Sequence, residues 1–362
     1  MIRKNHFLIF LAPLLFCFSA FSQGDRKDKT AVTYEEIYDE PYSVNKLFVQ
    51  FQPMYGELFV TNVNAGFGGE VTYYYQDKAD FHAHFRKTYS QKFFDFNRDL
   101  AEKTSDLDNG TQIFNYYEIG GTYHVKDFEQ SSKTKMFLYK NSYKGGKWAA
   151  RVPLNAEVPC KVRKVYGARL GALMWKTTTN VNAAIKKQGL SNSDFKSSDG
   201  IALPETRTIA KDGSINKTPE ALSLFTNLSS TAIYLGGSMS WIKNVAVNFD
   251  KFEEGIDDLM LTAYVDIMYA PSIKMDNMVY TGKDVGQPDF GTHTYSISPL
   301  KTQTFGFRMG LDGKFNRTWG WAYGGEFGYR PSIQGRGFYA MLKISFPVFG
   351  TNLDYKVESF GK

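Results

Sequence analysis

The chain has little cysteine, no marked excess of charge of one sign and, beyond its start, no long apolar run. Only Cys17 and Cys160 occur in its 362 residues. Cys17 lies in the N-terminal apolar stretch, so a chain processed there keeps one thiol, which cannot form an internal disulfide. Cys160 is expected to be a small packed residue. Lys and Arg number 43 against 37 Asp and Glu, a formal charge of +6. That bias is too mild for a nucleic-acid partner, and none is expected. After the N-terminal stretch no apolar run approaches the roughly 20 residues of a membrane-crossing helix. Any crossing is therefore by strands closed on themselves, which leave no backbone group unpaired in lipid.

What is present begins with an export signal. Met1 to Lys4 is basic, Phe7 to Phe18 is apolar, and Ala20-Phe21-Ser22 is a small-x-small cleavage site. Residues 1–22 are read as a signal peptide and Gln23 as the first mature residue. A lipoprotein reading at Cys17 is disfavoured, because Phe16 is bulky where a lipobox needs a small residue.

Aromatics make up 16% of the chain, with 23 Tyr and 30 Phe, and near the C-terminus they recur with a period of two. Phe305, Phe307, Met309 and Leu311 alternate with Gly306, Arg308, Gly310 and Asp312. Trp321, Tyr323, Phe327 and Tyr329 alternate with Ala322, Gly324, Glu326, Gly328 and Arg330; Phe338, Ala340, Leu342 and Ile344 alternate with Tyr339, Met341 and Lys343. Successive strand residues face opposite ways, so each segment has one apolar face and one of charge and glycine. A soluble sandwich would turn the apolar face inward. Strand lengths near those needed to cross a bilayer, aromatics at segment ends and a glycine-and-charge inner face favour a membrane barrel. A mean hydropathy of −0.36 fits strands that are only half apolar.

The reading predicts an all-β, antiparallel transmembrane β-barrel of about ten strands, eight to twelve if a hairpin is miscounted, with long extracellular loops. Its segments are 63–76, 80–89, 112–126, 133–142, 161–176, 229–242, 258–271, 301–313, 318–330 and 336–347. Residues 23–45 are expected to be a flexible periplasmic leader, 46–350 the barrel and 351–362 a tail. Lys46 to Gln52 is read as a short strand or rim segment stopped by Pro53. Phe93 to Lys103 is read as a short helix, and 177–228 as a long loop without strand pattern. This order places 177–228 and 272–300 outside the cell, but leaves 90–111 and 143–160 as overlong periplasmic turns.

The inward set predicted from alternation is Glu70, Arg86, Glu118, Arg169, Asp266, Arg308, Asp312, Glu326, Arg330 and Lys343. Mixed signs in a narrow bore suggest ion pairs filling the lumen, with a narrow pore as the alternative. Lys144, Lys147, Arg151, Lys161, Arg163 and Lys164 form a basic segment, and Tyr34, Tyr38 and Tyr42 an acidic-aromatic one. Both are read as contacts for lipid phosphates or a protein partner. His82, His84 and His124 with Glu118 are weighed as a metal site, and His293 with Ser296 and Ser298 as a hydrolase site. Neither spacing amounts to a motif, so no catalytic residue, metal or cofactor is expected. Gly66, Gly68 and Gly69 lie inside a strand pattern and are not a phosphate loop.

In outline the chain resembles outer-membrane β-barrel proteins of Bacteroidota. The features are the Phe21-Ser22-Gln23 cleavage context, Tyr/Asn/Lys-rich loops and aromatic terminal hairpins. The resemblance implies an outer-membrane location, with lipid or lipopolysaccharide and other outer-membrane or periplasmic proteins as partners. The expected role is a non-enzymatic accessory subunit of a secretion, gliding or barrel-assembly machine. A diffusion pore is the alternative, and a membrane-bound hydrolase or acyltransferase the third reading.

Overall fold

The computed structural model describes residues 33–89, 94–138, 154–209, 215–249, 254–282, 291–317 and 320–351. Ten strands close into a barrel. They are β1 (Leu47–Phe59), β2 (Asn64–Tyr75), β3 (Ala79–Thr88), β4 (Asn115–Leu138), β5 (Leu154–Asn180), β6 (Phe225–Ile242), β7 (Leu259–Met275), β8 (Phe305–Phe315), β9 (Ala322–Tyr329) and β10 (Phe338–Thr351). Each pairs antiparallel with its neighbour in sequence, and β10 pairs with β1, so the barrel has no open edge.

Alternation sets the two faces. Leu58, Ile119, Leu170, Leu235, Ile267 and Leu342 point outward; Leu342 is 73% exposed and the others more than half. This apolar belt runs round the wall and far exceeds the patches a water-soluble monomer shows, as a barrel in a membrane requires. No helix among the described residues is long and apolar enough to cross a membrane.

The strand number matches the sequence reading, but the strands are not the same ten. The two strands expected at 112–126 and 133–142 are one strand, β4, over the described residues 115–138. The stretch 46–52, expected as a short strand or a rim segment, is the first half of a full barrel strand, β1. Pro53 does not stop it, because the register with β2 slips between Gln52 and Tyr55. A β-bulge is where a strand tolerates a residue without an N–H. The Pro53 carbonyl accepts a hydrogen bond from the Tyr89 hydroxyl.

Counting β1 settles the loop asymmetry. The connections 89–114, 181–224 and 276–304 all leave one end of the barrel, here the cap end. Both ends of the described chain and the Gln76–Lys78 turn lie at the other, the terminus end. The 177–228 stretch is not a bare loop: it contains the end of β5, helix α2 (Val181–Gln188), a paired hairpin at Thr206–Ile209 and Ile215–Ala221, and the start of β6. Asn180 caps α2 by accepting from the Ala183 N–H at 3.0 Å, and Gly189 ends it at φ +70°. Helix α1 (Phe96–Thr104) lies in 89–114, where a short helix over Phe93 to Lys103 is expected.

At the terminus end β4 and β5 pair on to Leu138 and Leu154, whereas β5 leaves β6 at Arg163. The overhanging hairpin carries a three-stranded sheet of Tyr34–Asp39, Val245–Phe249 and Gly255–Asp257. Val245, Val247 and Phe249 pack on Met136, Val158, Cys160 and Val162. Part of the stretch read as a flexible leader is therefore an ordered strand. Residues 1–32 and 352–362, covering the expected signal peptide and most of the tail, lie outside the described residues.

Candidate functional site

The inner face is built from register. Asp266 on β7 is the direct cross-strand partner of Arg308 on β8, and Tyr264, Gly310 and Glu326 form the next row. Glycines let long side chains lie across the bore. A Cβ on Gly120 or Gly171 would overlap the hydroxyl of Tyr234, which reaches His82 Nε2 at 2.9 Å.

Across this space runs a lattice of charge. Arg308 holds Glu118 at 2.6 Å, Asp266 at 2.8 Å and Glu326 at 3.6 Å. Arg86 reaches Glu326 at 3.0 Å and stacks on the Tyr116 ring at 3.9 Å. Arg330 grips both oxygens of Glu57 at 3.0 Å, and Arg169 holds Asp266 at 3.0 Å. Lys343 joins Glu70 and Asp312, each at 2.8 Å. His84 lies between the two groups, 3.5 Å from Glu70 and 3.9 Å from Glu118. Charge-assisted, partly bidentate bonds of this kind are what let buried ions persist, since each alone would face a desolvation cost of several kcal/mol.

All ten residues of the inward set therefore meet in the bore. Glu57 and Lys314 belong with them and were not read. Glu57 was missed because the second half of β1 was. Inward residues are even-numbered as far as Gln52 and odd-numbered from Tyr55, so the bulge at Pro53 breaks the period. Lys314 sits over the Phe48 and Tyr74 rings, 5.1 Å from each.

Towards the cap end the bore is filled a second time. Phe59, Tyr116, Leu173, Trp175 and Tyr339 are buried with Val181, Ala184 and Ile185 of α2 in one apolar cluster. Phe59 and Trp175 meet edge to face at 5.2 Å. Arg330 ties the layers together, its guanidinium 4.1 Å from the Tyr339 ring. Towards the terminus end the lattice borders a small polar cavity of about 70 Å³ that touches Asp80, His82, His84, Lys314 and Lys343.

The expected contact residues behave differently from one another. Arg163 is buried, paired with Asp127 and with Asp77 at 3.1 Å, and lies 4.5 Å from the Tyr42 ring. Reading it as a lipid or partner contact is corrected: it fastens the overhanging hairpin to the β2–β3 turn. Lys161 is exposed, 3.7 Å from Glu129. Lys164 is half-buried on the outer wall. Tyr34 and Tyr42 are exposed and Tyr38 is half-buried. Lys144, Lys147 and Arg151 lie outside the described residues.

Among the described residues no group of three or more His, Cys, Asp or Glu side chains is arranged to hold a metal. His82 is bonded to Tyr234, and His124 to Asp80 at 3.1 Å. In the cap His293 lies 3.7 Å from Asp199, while Ser296 donates to Ser298 rather than to the histidine.

No family model matches the chain, and no curated protein does. Among solved structures it is similar to one described as "TodX deltaS2S3 mutant monoaromatic hydrocarbon channel". The identity is 12% and the TM-score 0.16, over 83% of this chain and 87% of that one. So slight a likeness carries no argument about function.

Proposed function

We propose that this chain is a non-enzymatic barrel of a bacterial outer membrane, of the kind found in Bacteroidota, that serves as a partner-binding accessory subunit of an outer-membrane protein machine. One observation carries the reading: the bore is filled twice, by the charge lattice around Arg308 and by the aromatic layer around Trp175. A solute would have to break both. Such a barrel works through its two ends, each of which is a folded structure rather than a set of short turns. The cap end faces outward, because bacterial barrels carry their long loops outside and both termini in the periplasm. The overhanging hairpin with its small sheet then stands in the periplasm, with Tyr34, Ile37, Ile256 and Phe137 exposed on it. The test is extraction in mild detergents, capture of the barrel and mass spectrometry of what accompanies it. Stoichiometric co-capture of the same membrane or periplasmic protein supports the reading; recovery of the barrel alone in every detergent overturns it.

A diffusion pore is the second reading, and the polar cavity beside the lattice is the observation on its side. Reproducible conductance steps in planar bilayers would decide for it.

A further inference from the structure

The outer wall at the terminus end carries a feature that neither lattice nor cap uses. Register lines up Phe128, Lys164, Trp241 and Leu261 as one cross-strand row over β4 to β7. The next row into the belt is Tyr166, Met239, Ala263 and Leu311. An aromatic and lysine row flanking an apolar band is the arrangement of a membrane boundary.

Below this row the wall does not simply end. The overhang of β4 and β5 carries the small sheet on its outer face, so a notch of about 430 Å³ remains between that layer and the foot of β7. Its apolar side is Val162, Trp241, Leu259 and Leu261; its polar side is Gln130, Ser132, Lys164 and Lys243. Lys243 is fixed by Asp257 at 3.0 Å and by Thr134 at 3.2 Å, which leaves one of its three N–H donors. Among the described residues Lys164 has no carboxylate within ion-pair distance. Two ammonium groups therefore flank an indole where the oily wall meets the polar overhang.

We propose that this notch binds the head group of an anionic glycerophospholipid from the membrane leaflet at the terminus end. The phosphate lies between Lys164 and Lys243, the glycerol faces Gln130 and Ser132, and an acyl chain runs along Trp241 and Leu261 into the belt. Each part of the lipid meets its own chemistry: anion to cation, ester region to amide and hydroxyl, chain to apolar wall. The proposal rests on the barrel lying in a membrane. That premise has a separate test, since a barrel that stays monomeric without detergent fails it before any lipid is added.

The experiment is native mass spectrometry of the detergent-solubilised barrel, titrated with phosphatidylglycerol and separately with phosphatidylcholine. The expected result is one retained phosphatidylglycerol per barrel and weaker retention of phosphatidylcholine. One lysine near a membrane surface is worth roughly a fivefold change in affinity, so Lys164→Gln should lose about that much and Lys164→Arg should keep most of it. Lys164 makes no ion pair among the described residues, and an unchanged gel shift between boiled and unboiled samples checks that the variants stay closed. Equal retention of both lipids, or undiminished phosphatidylglycerol binding in Lys164→Gln, overturns the proposal. Displacement of the lipid by inorganic phosphate alone would reveal a bare anion site and overturn it too.

Discussion

Arg308 and Glu118 stand on strands four apart in the ten-strand ring, and their side chains meet across the bore at 2.6 Å. A contact between near-opposite walls acts as a strut, whereas Asp266, on the adjacent strand, only reinforces one side. Removing a single partner of a buried pair leaves an uncompensated charge and costs about 3–5 kcal/mol. Arg308→Met and Glu118→Gln should each lower the unfolding free energy of the detergent-solubilised barrel, read from urea melts, by an amount in that range. The double variant should lose clearly less than the two combined, because residues in one network are not additive. Additive losses would show that the strut is not the main partner of either group.

Tyr234 lies in the gap left by Gly120 and Gly171, and its hydroxyl bonds His82. Overpacking of this kind costs about 1–3 kcal/mol. Gly120→Ala, whose new carbon meets the Tyr234 hydroxyl before any other atom, should therefore destabilise the barrel although the new side chain is only a methyl. Adding Tyr234→Phe should recover part of the loss, because the overlap is with the hydroxyl. Thermal loss of the compact gel form measures both. If Tyr234→Phe gives no recovery, the ring rather than the hydroxyl occupies that space.

Much of this was legible because a barrel wall reports itself every second residue. Leu342 and Lys343, or Phe307 and Arg308, fall on opposite faces by parity alone, which is why the inward charges follow from the sequence. Parity fails where the backbone slips. The bulge after Gln52 inverts it within β1 and hides the second half of that strand, with Glu57. The bulge between His124 and Lys126 does the same in β4 and made one strand look like two. The cap could not be read either. The apolar residues of α2 and Phe195, Leu203 and Leu222 are scattered through polar sequence, and they form a layer only because the barrel mouth gathers them.

Cys160 gives a probe of the terminus end. It lies on the hairpin beyond the last β5–β6 pair, buried under the small sheet, and burial raises its thiol pKa above the ordinary value. The thiolate is the reactive form, so alkylation of the folded protein lacking residues 1–22 should be slow near neutral pH. It should accelerate only above the usual thiol range of about 8.5. Deleting residues 34–39 removes one strand of the covering sheet and should speed alkylation at neutral pH. If the barrel lacking only residues 1–22 reacts as fast as a free thiol, the small sheet does not hold its place over the hairpin.

The two fillings of the bore make separable predictions about conduction. The intact barrel should be silent in planar bilayers. Trp175→Ala opens the aromatic layer but leaves the charge lattice, so it should stay silent. The paired change Glu57→Gln with Arg330→Gln removes one bidentate link without stranding a charge, and it too should stay silent behind the aromatic layer. Combining the three substitutions weakens both barriers on the β1 side and should give small conductance steps. Steps from the unaltered protein would mean that neither layer seals the bore and that the pore reading is the right one. Silence in the combined variant, with the gel shift of a closed barrel retained, would place the seal with the remaining Arg308–Glu118 strut.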